Sequence, residues 1–176
     1  MQIKFVLLTA LLSLGAVSHS ALASGTHAGG HHDSDDAIGV PGEVAKVTRT
    51  IAVKMTDNMR FTPERISVSR GETIRFTVTN AGKLKHELVL GTKKALDEHY
   101  EVMTKFPEME HADENMVSLA PAQTGEIVWQ FTTPGKIHFA CLHPGHYDAG
   151  MIGQVMVTAQ KIARQKASAA RITSTE

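Results

Sequence analysis

The sequence predicts an all-β sandwich interrupted by one short helical insertion. Three observations lead to it. From Val44 onward, short stretches alternate apolar and polar residues with a period of two. Gly, Pro and Asn sit between those stretches as turn formers. Only Lys93–Lys105 departs from the pattern, placing Leu96, Tyr100 and Met103 at helical spacing.

The elements follow in order. Met1–Lys4 gives a short basic start, Phe5–Val17 is an almost unbroken apolar run, and Ala21-Leu22-Ala23 offers the small residues a signal peptidase reads. The run is shorter than the roughly 20 apolar residues a membrane-spanning helix needs. Residues 1–23 are therefore expected to be a cleaved signal peptide, leaving a periplasmic mature chain without a membrane span. Residues 24–43 are rich in Gly, His and Asp and poor in large apolar groups, the composition of a flexible arm. Val47, Ile51, Val53 and Met55 share one face of a first strand, and Ile66 and Val68 mark a second, closed at Arg70-Gly71. Ile74, Phe76 and Val78 alternate with Thr73, Arg75, Thr77 and Thr79 until Asn80-Ala81-Gly82 ends the strand. His86–Leu90 begins the next. Thr92 stands where a helix N-cap belongs, and a loop rich in Met, Glu and His runs from Phe106 to Met116. Strands resume at Glu126–Phe131, Lys136–Cys141 and Gln154–Thr158. The folded domain is expected over 44–159, with a polar tail over 160–176. About seven short strands joined by Gly and Pro turns suit two packed sheets.

Composition narrows the function. Lys and Arg total 18 and so do Asp and Glu, which leaves no electrostatic footprint for nucleic acid or for an anionic membrane surface. There is one cysteine, Cys141, so the chain cannot form an internal disulfide. In an oxidising compartment a lone thiol is a liability unless it is buried or engaged. Cys141 is either a small buried hydrophobe or a metal thiolate, and its neighbours decide between the two.

Those neighbours are Cys141-Leu-His-Pro-Gly-His146-Tyr-Asp-Ala-Gly-Met151. A thiolate, an imidazole and a thioether lie on one loop between strands, at C-x4-H-x4-M spacing. A short loop that turns back on itself brings all three together without a long closure. Thiolate and thioether suit cuprous copper, imidazole suits both oxidation states, and a thioether favours copper over zinc. A trigonal His2Cys set needs a second histidine. His86, entering a strand just after a turn, is the better candidate; His99 lies on the helix.

The Cys-x-x-Pro-Gly-His run and the upstream Asn80…His86 segment resemble the copper loops of the cupredoxins, the type 1 copper proteins. The resemblance covers about Val44 to Ala159. It implies a Greek-key β-sandwich and one copper with His86, Cys141, His146 and Met151 as ligands. His143 falls off the family's spacings and is read as a neighbour of the site or a surface residue. The chain is similar, more narrowly, to small periplasmic cupredoxins linked to copper tolerance. The shared features are the His-bearing arm, the Met55-Thr-Asp-Asn-Met59-Arg-Phe61 strand end, and the insertion carrying Met109, His111 and Met116. A binuclear centre needs a second cysteine on the loop, and a relay to a trinuclear cluster needs histidines where Ala140 and Leu142 stand.

Two features stay open. The arm residues His27, His31 and His32, with Asp33, Asp35 and Asp36, either capture divalent copper or form a solubilising linker. Met109, His111 and Met116 either hold a second, cuprous ion or cover the core. Two functions are therefore expected: copper tolerance by binding and redox-cycling copper, or electron transfer between periplasmic redox partners. Enzymatic turnover, cuprous oxidation included, has no second redox centre or acid–base pair behind it in the sequence.

Overall fold

A computed structural model describes residues 38–107, 109 and 112–159. The expected signal peptide, the arm histidines His27, His31 and His32, the insertion's His111 and the tail lie outside those residues. The described chain contains ten strands and one α-helix. In order they are β1 (Val40–Pro41), β2 (Arg49–Thr56), β3 (Arg60–Thr62), β4 (Arg65–Ser69), β5 (Thr73–Asn80), β6 (His86–Gly91), α1 (Lys93–Lys105), β7 (Met116–Leu119), β8 (Thr124–Gln130), β9 (Gly135–Ala140) and β10 (Ile152–Thr158).

Two five-stranded sheets pack face to face, one ordered β1-β8-β5-β2-β3 and the other β4-β10-β9-β6-β7. Two pairings are parallel, β2 with β5 and β4 with β10, so chain neighbours cross between sheets as a Greek key requires. The alternating residues meet in the middle. Val53, Met55, Ile74, Phe76, Val78, Ile127 and Trp129 come from one sheet, and Ile66, Val68, Leu88, Leu90, Ile137, Phe139, Val155 and Val157 from the other. An edge-to-face ring pair keys the layers together, Phe61 of β3 on Phe139 of β9 with centroids 5.0 Å apart, and Phe76 of β5 packs in the same way on Phe131, just past β8, at 6.2 Å.

β6 is buried along its whole length, which explains why His86–Gly91 does not alternate. Its inner face joins the sandwich core, while Val89 faces a second cluster with Leu96, Met103, Met116, Leu142 and Tyr147. The helix supplies that cover. Thr92 caps it, its Oγ1 accepting from the Ala95 amide at 3.1 Å, and Lys93–Asp97 and Lys94–Glu98 pairs line its exposed face.

Three strands had no signal strong enough to read. β1 pairs Val40 with Gln130 upstream of the alternating pattern, and Ile38 is buried with its carbonyl accepting from Trp129 Nε1 at 2.8 Å. A two-residue strand anchored by one indole leaves no periodicity. β3, with three residues, and β7, with four, are also short, and β7 begins at Met116, the last residue of the stretch expected to be loop. No helix among the described residues is long and apolar enough to cross a membrane.

Candidate metal centre

The C-terminal loop carrying Cys141 joins β9 to β10. Its backbone is tied tightly: the Cys141 amide donates to Met151 O at 3.1 Å, Met151 N to His146 O at 3.1 Å, and His146 N to His143 O at 3.0 Å. Gly145 and Gly150 take the positive φ values, 83° and 85°, that reverse the chain on either side of His146. The helix braces this loop from outside. Tyr147 Oη donates to Asp97 Oδ1 at 2.7 Å, Gly145 N donates to Tyr100 Oη at 3.2 Å, and Tyr100 Oη donates to Asp148. Arg60 holds the far end, donating to Ala149 O at 3.0 Å.

His86 arrives from the other direction, as the first residue of β6. The loop before it is folded around two side chains. Asn80 Nδ2 donates to Leu84 O and Leu119 O, and Asn80 Oδ1 accepts from Gly82 N. Asp57 accepts from the amides of Lys83 at 2.7 Å and Leu84 at 3.2 Å, and its Oδ1 lies 3.0 Å from His86 Nε2.

With Asp57 on Nε2, the other ring nitrogen of His86 faces inward. Cys141 Sγ lies 4.0 Å from His86 Nδ1 and 3.3 Å from His146 Nδ1, and the two imidazole centroids are 4.8 Å apart. The three ligand atoms all fall within 4.8 Å of one another. His86 and Cys141 are fully buried, His146 is half-buried, and Met151 is fully buried one residue before β10. All four residues singled out from the sequence are thus gathered at one end of the sandwich.

Whether copper suits this place is decided by the donors. Burial pushes the Cys141 thiol up to about 12, outweighing the Glu87 and His143 amides, which pull the other way. Without a cation beside it, the sulfur keeps its proton and is a poor nucleophile. Burial also lowers the basicity of His146, with His86 adding to the effect. A protonated sulfur and imidazoles whose free nitrogens converge on it are what a thiolate- and imidazole-binding cation displaces protons from. The residues fit copper.

Among the described residues, the other histidines stand outside this set of converging ligand atoms. His143 packs edge-on against His146, centroids 5.7 Å apart, and its Nε2 sits 4.0 Å from Glu87 Oε2. His99 stays on the helix. Met109 and Met116, with Met103, Glu87, Ser118 and His143, line one cavity of about 400 Å3. Met116 is buried, whereas Met109 is exposed. Two acidic residues of the site had no role from sequence. Glu87 is 2% exposed, and its Oε1 accepts from Leu142 N at 2.9 Å while its own amide points at Cys141 Sγ from 3.5 Å. A lone acid inside the apolar run His86–Leu90 was its signal. Asp57 lies in the Met55–Phe61 segment already set apart, yet its partners come from a distant loop.

Comparison with known proteins agrees with the fold and with copper as the metal. Residues 45–158 match the family described as copper binding proteins, plastocyanin/azurin family. The copper-resistant cuproprotein CopI of Rubrivivax gelatinosus is 52% identical over 132 residues, 74% of this chain and 80% of that protein. The protein of the same name in Pseudomonas aeruginosa is 34% identical, with 84% of this chain and 93% of that one covered. Among solved structures, reduced auracyanin from Roseiflexus castenholzii aligns with a TM-score of 0.57 at 24% identity, covering 64% of this chain and 98% of that one. Auracyanin B aligns with a TM-score of 0.53 at 21% identity, covering 69% and 94%. Sandwich, donors and sequence match converge: the chain belongs to the plastocyanin/azurin family of copper-binding cupredoxins.

Proposed function

We propose that this protein is an exported copper-tolerance factor of the periplasm, holding one copper with His86, Cys141 and His146 and with Met151 as a weaker fourth donor. The observation that carries this reading is the convergence of His86 Nδ1, Cys141 Sγ and His146 Nδ1 in a buried corner. The names of the CopI relatives support the physiological part.

When bound, copper supplies a one-electron couple between its cuprous and cupric states. The chain does the rest. Cys141 surrenders its proton, His86 and His146 present their Nδ1 lone pairs, and the tyrosine and arginine braces keep the loop from rearranging. Met151 and the sandwich core, in which Cys141 is buried, keep water from the sulfur, while the half-buried His146 is the side of the site nearest solvent.

Absorption and EPR spectra of the copper-loaded protein test the ligand set. An intense thiolate-to-copper band is expected, absent in Cys141→Ser. A copper adduct whose spectrum ignores Cys141→Ser overturns it.

The same reading gives the insertion a part in copper capture. Met109 and Met116 line one cavity with Met103 and His143, and His111 and the arm residues His27, His31 and His32 add further donors for extra copper ions. Copper stoichiometry checks this: fewer equivalents are expected after replacing Met109, His111 and Met116 or deleting residues 24–36. One equivalent throughout favours the alternative, an electron carrier between periplasmic redox partners. A deletion strain that fails only in high copper counts against that alternative.

A further inference from the structure

We infer that Asp57 is a positioning residue for His86 that biases the centre towards cupric copper. The inference rests on the ligand reading above and concerns what stands behind one ligand. Asp57 sits in the turn between β2 and β3, 29 residues before His86, and reaches it across the end of the sandwich.

The geometry is built rather than incidental. Three donors converge on one carboxylate: the Lys83 amide at 2.7 Å, the Leu84 amide at 3.2 Å and the His86 ring at 3.0 Å. The approach needs a glycine, because a Cβ on Gly82 would overlap Asp57 Oδ1. Asn80 pins the same loop from its other side, through Gly82 N and Leu84 O. Three residues of the turn and loop thus serve one contact with one imidazole.

Two consequences follow for the ring. An acceptor on Nε2 fixes the tautomer, with the proton on Nε2 and the lone pair on Nδ1, the nitrogen that faces Cys141 Sγ. A negative acceptor also makes the imidazole a stronger electron donor, and a stronger donor favours the doubly charged ion over the singly charged one. The side chain of His86 is wholly shielded, but that of Asp57 is 36% exposed. Water therefore competes for the carboxylate, and the bias is expected at the lower end of what partners behind a ligand achieve.

Asp57→Asn removes the charge and keeps the shape. The ratio of cupric to cuprous affinity is expected to fall about tenfold, a rise in midpoint potential of about 59 mV for one electron, with the thiolate-to-copper band retained. Asp57→Ala and Gly82→Ala also release the ring, so cupric affinity is expected to fall about 10- to 100-fold and the EPR signal to broaden. In the copper-free wild type, 15N spectra of labelled histidine are expected to show the His86 proton on Nε2, a reading that needs no variant to fold. A proton on Nδ1, or Asp57→Asn with potential and cupric affinity unchanged, overturns the inference. The ligand reading fails separately, by a wild-type copper adduct without the thiolate band, and takes this inference with it.

Discussion

Asn80→Ala is the substitution expected to do most damage to the scaffold beneath the copper corner. Asn80 is fully buried at the end of β5. Its Nδ2 donates to Leu119 O at 3.0 Å in the interior and to Leu84 O at 2.8 Å nearer the surface, and its Oδ1 accepts from Gly82 N at 2.9 Å. Alanine removes all three bonds and strands their partners. The buried bond is worth about 1–2 kcal/mol and the two part-buried ones about 0.5–1 kcal/mol each, giving a loss of about 3 kcal/mol. A domain of this size loses roughly 3–6 °C per kcal/mol, so the copper-free variant should melt about 10–15 °C lower. The assay is thermal and urea unfolding followed by the fluorescence of Trp129, the chain's one tryptophan, which is buried. Because Asn80 and Asp57 grip the same loop, Asn80→Ala combined with Asp57→Ala should destabilise by less than the sum of the two. A loss under about 0.5 kcal/mol for Asn80→Ala would refute the reasoning, since no set of three real bonds nets so little.

Other outcomes are equally concrete. In copper-free protein near pH 8, Cys141 should react with a thiol reagent at least about a hundredfold more slowly than in urea, because burial holds its proton; equal rates would mean the thiol is accessible. Tyr147→Phe deletes the bond to Asp97 and should lower stability by about 1 kcal/mol, read by urea unfolding. Lys93 foremost, and then Tyr147, hold the Asp97 carboxyl below its usual range. A lowered folded-state value means stability that is present above the unfolded carboxylate range and lost as pH falls through the depressed one. The stability gap between wild type and Asp97→Asn should therefore shrink on acidification below about pH 4, and a gap independent of pH would contradict the pairing.

What the sequence made legible depended on how local each signal was. β2, β4, β5, β8 and β10 each bury one face, so period-2 alternation betrayed them. The metal corner was readable because Cys141, His146 and Met151 share one loop, and spacing alone limits where they can go. His86 was reached by asking what the loop lacked. Asp57 and Glu87 were beyond that method, since their roles arise where turn, loop and strand from distant parts of the chain meet. β1 escaped because its hold comes from Trp129, 91 residues away from the Ile38 carbonyl it binds.

The bracing of the ligand loop by Tyr100, Tyr147 and Asp97 bears on how such a site can be moved between proteins. Residues 141–151 carry three of the four donors, yet several of the bonds that shape them end on α1. Copying the loop alone into another sandwich would transfer the ligands without the frame that points them. The portable unit is loop and helix together, so the insertion after β6 and the loop after β9 should be exchanged, or diverge, as a pair.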